Sequence, residues 1–149
     1  VYYLRAQGLS DEEIQAGLTK NGGLKGISGV SSDLRYVLEA AEAGNERAKL
    51  AVDVYVTGIV RYIAAFAAEL GGLDCLAFTG GIGENSDVIR KMVCERLAHM
   101  GIDLSKRRNT KGKGDRRITK KRSRVRVYVI AANEELGVAR KTYACEKNA

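Results

Sequence analysis

Three short stretches of this chain hold residue types that can act on a phosphorylated ligand. The first is Thr79-Gly80-Gly81-Ile82-Gly83-Glu84-Asn85, set between an apolar run and a helix start. Small residues let the backbone approach a ligand closely. A helix N-terminus adds free N–H groups and a positive dipole end, which suits a phosphate or a nucleotide. The stretch is neither a GxGxxG fingerprint nor a P-loop, because no Lys follows it. The same residues also fit a plain tight turn between a strand and a helix. The second stretch is Ser31-Ser32-Asp33-Leu34-Arg35 at a helix start. An Arg there can pair with a phosphate or stack on a purine ring, although on pattern alone a capped helix with solvated charges is the better fit. The third is Asn133-Glu134-Glu135 after a strand. Carboxylates at a strand end can hold Mg²⁺, and two acids can also simply complement a helix dipole.

The flanking patterns say which elements must position these stretches. Ser10-Asp11-Glu12-Glu13 is a capping box and predicts a helix from Asp11 to about Leu18. Leu24 to Val30, with Gly26 and Gly29, reads as loop or short strand. A helix after Asp33 places Leu34, Val37, Leu38 and Ala41 on one face and ends at Gly44. Asn45 caps a long helix, about Glu46 to Leu70, with apolar residues nearly all round: Leu50, Val54, Ile59, Ile63, Phe66 and Leu70. Such a helix is buried in a core or in a subunit interface. Leu73 to Thr79 predicts a buried strand. A helix from about Asp87 to His99 carries the stripe Val88, Met92, Val93 and Leu97. Arg124 to Ala131 predicts a second strand, Asn133 caps a helix to about Arg140, and the polar tail from Lys141 is expected to fray. The order is α/β, with a mostly parallel sheet as core.

Composition narrows the classes. The chain has 149 residues, 45% apolar and 29% charged, which is a globular composition for one domain or part of a larger one. It starts at Val1 and shows no basic-then-apolar leader, so no signal peptide is expected. Asp53, Arg61 and Glu69 interrupt the longest apolar region, which argues against a membrane span. Cys75, Cys94 and Cys145 are widely spaced and read as reduced intracellular thiols. His99 stands alone and cannot build a multi-His metal site.

The net charge of +7 comes from one segment. Residues 106–126 hold 12 of the 25 Lys and Arg and one of the 18 acids, Asp115, which leaves 13 bases against 17 acids elsewhere. A basic segment can bind nucleic acid or acidic lipid. This one has no aromatic for base stacking and no recognised nucleic-acid motif, so it is read as a solvated loop or hairpin within the domain. A nucleic-acid-binding module and a purely structural dimerising piece remain as the alternatives.

Taken in order, Leu18-Thr19-Lys20-Asn21-Gly22-Gly23 through Ser31-Ser32-Asp33-Leu34-Arg35, then GNERAKLA at Gly44 to Ala51, FTGGIGENS at Phe78 to Ser86, and ANEEL at Ala132 to Leu136, closely resemble the acetate kinase family. Propionate kinases share much of this pattern. The resemblance runs from about Leu9 to Arg140 and is to the C-terminal portion alone. It implies a helix-rich, ribonuclease-H-like C-terminal domain of the actin, sugar-kinase and heat-shock chaperone superfamily over residues 1–149. That domain would bind nucleotide and form a cytoplasmic homodimer, with no membrane partner and none expected among nucleic acids.

The resemblance further implies phosphoryl transfer between ATP and acetate with Mg²⁺. Asp33, Leu34 and Arg35 then form a nucleotide segment, Gly81, Ile82, Gly83, Glu84 and Asn85 line the adenosine side, and Glu134 is the magnesium-associated acid. No catalytic residue is assigned here, because the family's catalytic Arg, His and Asp groups and its acetate pocket are expected upstream of Val1. Three departures stand out. Ala131 and Ala132 replace the usual Pro and Thr, Leu34 stands where an aromatic or Met is common, and residues 106–126 are unusually cationic.

Overall fold

The computed structural model describes residues 1–147, with backbone only for the last two of these. It divides into two compact units, residues 1–62 and 63–149, with the boundary inside one long helix.

The first unit is all-helical. Helix α1 (Tyr2–Ala6) leads to α2 (Asp11–Thr19), whose capping box forms as read: Glu13 N–H donates to Ser10 Oγ at 3.2 Å and Ser10 N–H donates to Glu13 Oε2 at 2.8 Å. The stretch read as loop or strand is a helix, α3 (Gly23–Ser28). Its Gly26 packs so closely that an added Cβ would sit 2.7 Å from Asn21 O. Arg47 holds its C-terminal end, donating to Gly26 O at 3.1 Å and Ile27 O at 2.9 Å. Helix α4 (Leu34–Glu42) follows, with Asp33 as N-cap and Leu34 and Val37 buried.

Helix α5 (Glu46–Glu69) starts on the Asn45 cap, where Asn45 Oδ1 accepts from Ala48 N–H at 3.0 Å. Ala48, Ala51, Val52 and Val56 are buried, whereas Leu50, Val54, Tyr62, Phe66 and Leu70 are at least 46% exposed. The expectation of an apolar surface all round is therefore half met: one side packs, and a ridge of large apolar residues at four-residue spacing faces out. By length and composition alone α5 is long and apolar enough to cross a membrane. Its Asp53 and Arg61 argue against that reading.

The second unit carries a three-stranded sheet in the order β1-β3-β2. Strand β1 (Cys75–Phe78) pairs parallel with β3 (Arg126–Val129), and β2 (Arg116–Arg117) pairs antiparallel with β3. The sheet is thus mixed: its longer pairing is parallel, as expected, and the two-residue β2 adds an antiparallel edge. β1 is an edge strand, and of its four residues only Phe78 is buried. Alternating Val125, Val127 and Val129 of the central region are fully buried, which is the period of two that a packed sheet face demands. Two helices then follow β1, α6 (Gly80–Asn85) and α7 (Asp87–Arg96). Ser86 caps α7, accepting from Ile89 N–H at 3.3 Å. The buried side of α7 is Ile89, Arg90, Val93 and Cys94, with Leu97 beyond it, so the predicted stripe is rotated and Val88 is exposed.

Residues 106–126 are not a free loop. They form α8 (Lys106–Thr110) and β2, and bury Asn109, Ile118, Thr119, Ser123 and Val125. Most of the cations are exposed, although Arg116 and Arg117 are half-buried and Arg116 Nε is buried without a hydrogen-bond partner. Helix α9 (Glu134–Lys147) continues through the tail expected to fray from Lys141. Cys75 and Cys145 are exposed and Cys94 is buried, all as free thiols.

Candidate functional site

In the second unit, the C-terminal ends of the parallel strands β1 and β3 each run into a helix, α6 and α9. Ligands of open α/β sheets sit at such strand ends. The two exits are tied by one carboxylate. Glu84 Oε1 accepts from Gly80 N–H at 3.0 Å and from Ala132 N–H at 2.8 Å. A groove of about 440 Å³ opens here, lined by Gly80, Gly81, Glu84, Ala132, Asn133, Glu134 and Glu135.

This geometry changes the role expected of the glycine stretch. Residues 80–85 are not a loop ahead of a helix; they are a six-residue helix. Its leading N–H, on Gly80, already serves Glu84, so the phosphate-cradle reading loses its first donor. Gly80 sits at φ +72°, in the left-handed region that favours glycine. Gly83 passes against the strand end, where a Cβ would stand 3.2 Å from the Phe78 carbonyl carbon. Asn85 Nδ2 donates to Gly81 O at 2.8 Å, and Ile82 is 37% exposed. Gly83 thus packs the stretch against the end of β1, while Gly81 faces open space and Ile82 presents an exposed aliphatic side chain.

Glu134 and Glu135 are exposed at the first turn of α9. Asn133 caps that helix as read, its Oδ1 accepting from Leu136 N–H at 3.2 Å. Among the described residues no three His, Cys, Asp or Glu side chains gather into a metal cage. A small donor set still suits Mg²⁺, which takes one or two carboxylates and fills its shell with water and phosphate oxygens. Glu134 beside the groove fits that limited role.

Asp33, Leu34 and Arg35 belong to the first unit. Asp33 accepts from Arg35 N–H at 2.9 Å and from the Arg35 guanidinium at 2.6 to 3.1 Å. The Arg35 hydrogen bond holds the Asp33 carboxyl down at a pKa of about 2, and Asp33 in turn raises that of Arg35. The Arg35 side chain remains 81% exposed, so its planar face is open to a ring. Leu34 is 5% exposed and packs inside the unit, which removes it from direct ligand contact.

Three residues around the groove escaped the sequence reading. Arg90, 2% exposed, donates from Nη1 to Gly83 O at 2.9 Å and Glu84 O at 2.8 Å. Its Nε and Nη2 donate to Asn109 Oδ1 at 2.8 Å and Asn109 O at 2.7 Å. Burial lowers the Arg90 pKa, and repulsion from Arg116 adds to the shift. Asp115 Oδ1 accepts from Ala131 N–H at 2.8 Å, a bond that the proline expected at that position could not donate. The available signals were an Arg set among the apolar residues of α7 and a lone acid in a basic run.

The Acetokinase family matches residues 1–140. The chain belongs to that family. It is 48% identical over 134 residues to the acetate kinase of Acholeplasma laidlawii (strain PG-8A), covering 90% of this chain and 34% of that protein. It is 46% identical over 143 residues to the acetate kinase of Dictyoglomus thermophilum, covering 95% and 36%. Among solved structures, Porphyromonas gingivalis acetate kinase superposes with a TM-score of 0.84 at 40% identity, over 96% of this chain and 36% of that one. A propionate kinase from Francisella tularensis superposes with a TM-score of 0.79 at 37% identity, over 91% and 34%. The fold is therefore that of an acetate kinase domain. The chain spans about a third of the length of the curated relatives it matches.

Proposed function

We propose that this chain is the C-terminal, nucleotide-holding part of an acetate kinase, with the ribonuclease-H-like architecture of the actin and sugar-kinase superfamily. The complete cytoplasmic enzyme transfers phosphoryl between ATP and acetate. The observation that carries this reading is the family match over residues 1–140 joined to the Glu84-tied groove at the ends of β1 and β3. Such transfer rests on positioning and on charge stabilisation of an in-line transition state. In this chain, Arg35 offers its guanidinium face to the base, with Asp33 fixing its direction. The segment Gly81-Ile82-Gly83-Glu84-Asn85, anchored by Gly83 against β1, supports the adenosine side. Glu134 holds Mg²⁺ through its carboxylate or through water. That ion neutralises charge on the phosphates when bound.

This reading assigns the carboxylate pocket and the catalytic cations to residues outside these 149. The chain alone is thus expected to bind nucleotide and to give no turnover. A propionate kinase reading draws on the Francisella tularensis neighbour and alters only the carboxylate acceptor. The exposed ridge of α5 supports a homodimer.

Calorimetric titration of Mg-ADP into the chain, beside an Arg35→Ala variant, tests the reading. Saturable binding that the variant weakens is expected. No heat at millimolar ADP would overturn nucleotide holding by this part of the protein.

A further inference from the structure

The 12 cations of residues 106–126 invite a reading as a polyanion surface, but the buried contacts of the segment point elsewhere. Its non-basic residues, Asn109 and Asp115, grip both rims of the groove. On one side, Asn109 of α8 accepts from Arg90 Nε through Oδ1 and from Nη2 through its backbone O, and Arg90 Nη1 donates to both Gly83 O and Glu84 O at the end of α6. Asn109 Nδ2 closes this network on Asp87 O at 2.8 Å. On the other side, Asp115 takes the N–H of Ala131 beside the Glu84 clamp. Between them, Ile118 N–H donates to Val127 O at 2.8 Å and fixes the segment to the central strand.

Arg90 has no carboxylate within this network; every acceptor is a neutral oxygen. A buried cation tolerates such a site only when its donors are filled with good geometry. Loss of the Asn109 side chain would leave Arg90 Nε without its acceptor, with only the backbone O of residue 109 still held by Nη2, and free the guanidinium to shift. The carbonyls of Gly83 and Glu84 would then lose their anchor.

We infer that residues 106–126 set the position of the Gly81–Asn85 segment, acting through Asn109 on Arg90 and through Asp115 on Ala131. Arg90, Asn109 and Asp115 are positioning residues for nucleotide affinity, a conclusion that rests on the nucleotide reading above. The cations serve to keep the outer face of this brace in water.

The test uses the 149-residue chain and the variants Asn109→Ala, Asn109→Asp and Asp115→Ala. Each is followed by Mg-ADP calorimetry, by amide hydrogen exchange and by thermal melting. Asn109→Ala is expected to weaken Mg-ADP about tenfold, the size of one or two buried hydrogen bonds, and to speed exchange at Glu84, Asn85 and Ser86. Asn109→Asp keeps the acceptor for Arg90 and is expected to recover most of the affinity, which simple loss of packing would not predict. Asp115→Ala, at an exposed site, should weaken binding severalfold with melting unchanged; it decides the matter if Asn109→Ala fails to fold. Folded variants that bind as the parent does would overturn the inference. If the parent itself binds no Mg-ADP, the nucleotide reading falls. The brace is then judged by exchange: unchanged rates at Glu84 to Ser86 in Asn109→Ala would overturn it.

Discussion

Glu84 and Ala132 lie 48 residues apart in the sequence, yet the Glu84 carboxylate accepts the Ala132 N–H at 2.8 Å. The same oxygen accepts Gly80 N–H, so one charged acceptor joins the exits of two parallel strands. Bonds to a charged acceptor are about twice as strong as neutral ones. Glu84→Ala is expected to lower stability by about 2–3 kcal/mol in chemical denaturation. Glu84→Gln retains an acceptor and should lose less than half of that. Equal losses in both variants would show that the two N–H contacts do not hold the exits together.

Gly83 meets the end of β1 with no room to spare. A Cβ there would lie 3.2 Å from the Phe78 carbonyl carbon, and backbone yields less easily than a side-chain tip. Gly83→Ala is expected to cost about 1–3 kcal/mol, measured by urea denaturation. Gly81→Ala, with open space around its Cβ position, is the control and should be near neutral.

The Asp33–Arg35 pair carries a pH signature. The Asp33 carboxyl titrates at about 2, below its ordinary 3.8, because Arg35 binds the ionised form. A depressed folded-state pKa means stabilisation that is present above the ordinary value and lost as pH falls toward 2. Carboxyl-detected NMR titration should show this low midpoint, and Arg35→Ala should return it to the ordinary range. A midpoint unmoved by Arg35→Ala would assign the shift to another cause.

Cys94 should behave as an inert thiol. Burial pushes its pKa up to about 12, against an ordinary 9.0. Its neutral form is therefore favoured by folding, and the contribution is complete below pH 9 and lost as pH rises toward 12. With native chain and iodoacetamide at pH 8, mass spectrometry should find Cys75 and Cys145 alkylated and Cys94 spared until denaturant is added.

The ridge of α5 predicts self-association. Leu50, Val54 and Leu70 are 54%, 46% and 77% exposed, and large apolar side chains aligned along one helix mark a candidate contact surface. Light scattering should report a dimer, and Leu50→Glu with Leu70→Glu should yield a monomer. A monomeric parent chain would remove the dimer from the account.

Local chemistry made much of this fold legible. The Ser10–Glu13 capping box and the Asn45 and Asn133 caps are read from neighbours in sequence, and all three form. Both parallel strands, β1 and β3, fall within the two apolar runs read as strands, although β1 is a largely exposed edge and not the buried strand expected. What escaped depends on distant partners. Gly26 and Gly29 suggest a loop, but Arg47 from another helix anchors α3. Glycines 80, 81 and 83 discourage a helix by propensity, and Glu84 together with Arg90 holds them in one. The basic run looked solvated because charge count says nothing about the direction its neutral residues face. In the candidate site, the placing of the glycine stretch after a strand and of Arg35 and Glu134 at helix starts was legible from type and spacing; their ligand roles are proposals. Arg90 and Asn109 were not legible, because their meeting across 19 residues is a product of the fold.

The most direct test of the central claim is amide hydrogen exchange of the chain with and without saturating Mg-ADP. The account predicts slowed exchange concentrated at Leu34 to Tyr36, Gly80 to Asn85 and Ala132 to Glu135. No protection at any of these, or protection confined to Lys106–Lys113, would contradict the nucleotide roles proposed for Arg35, for Gly81–Asn85 and for Glu134.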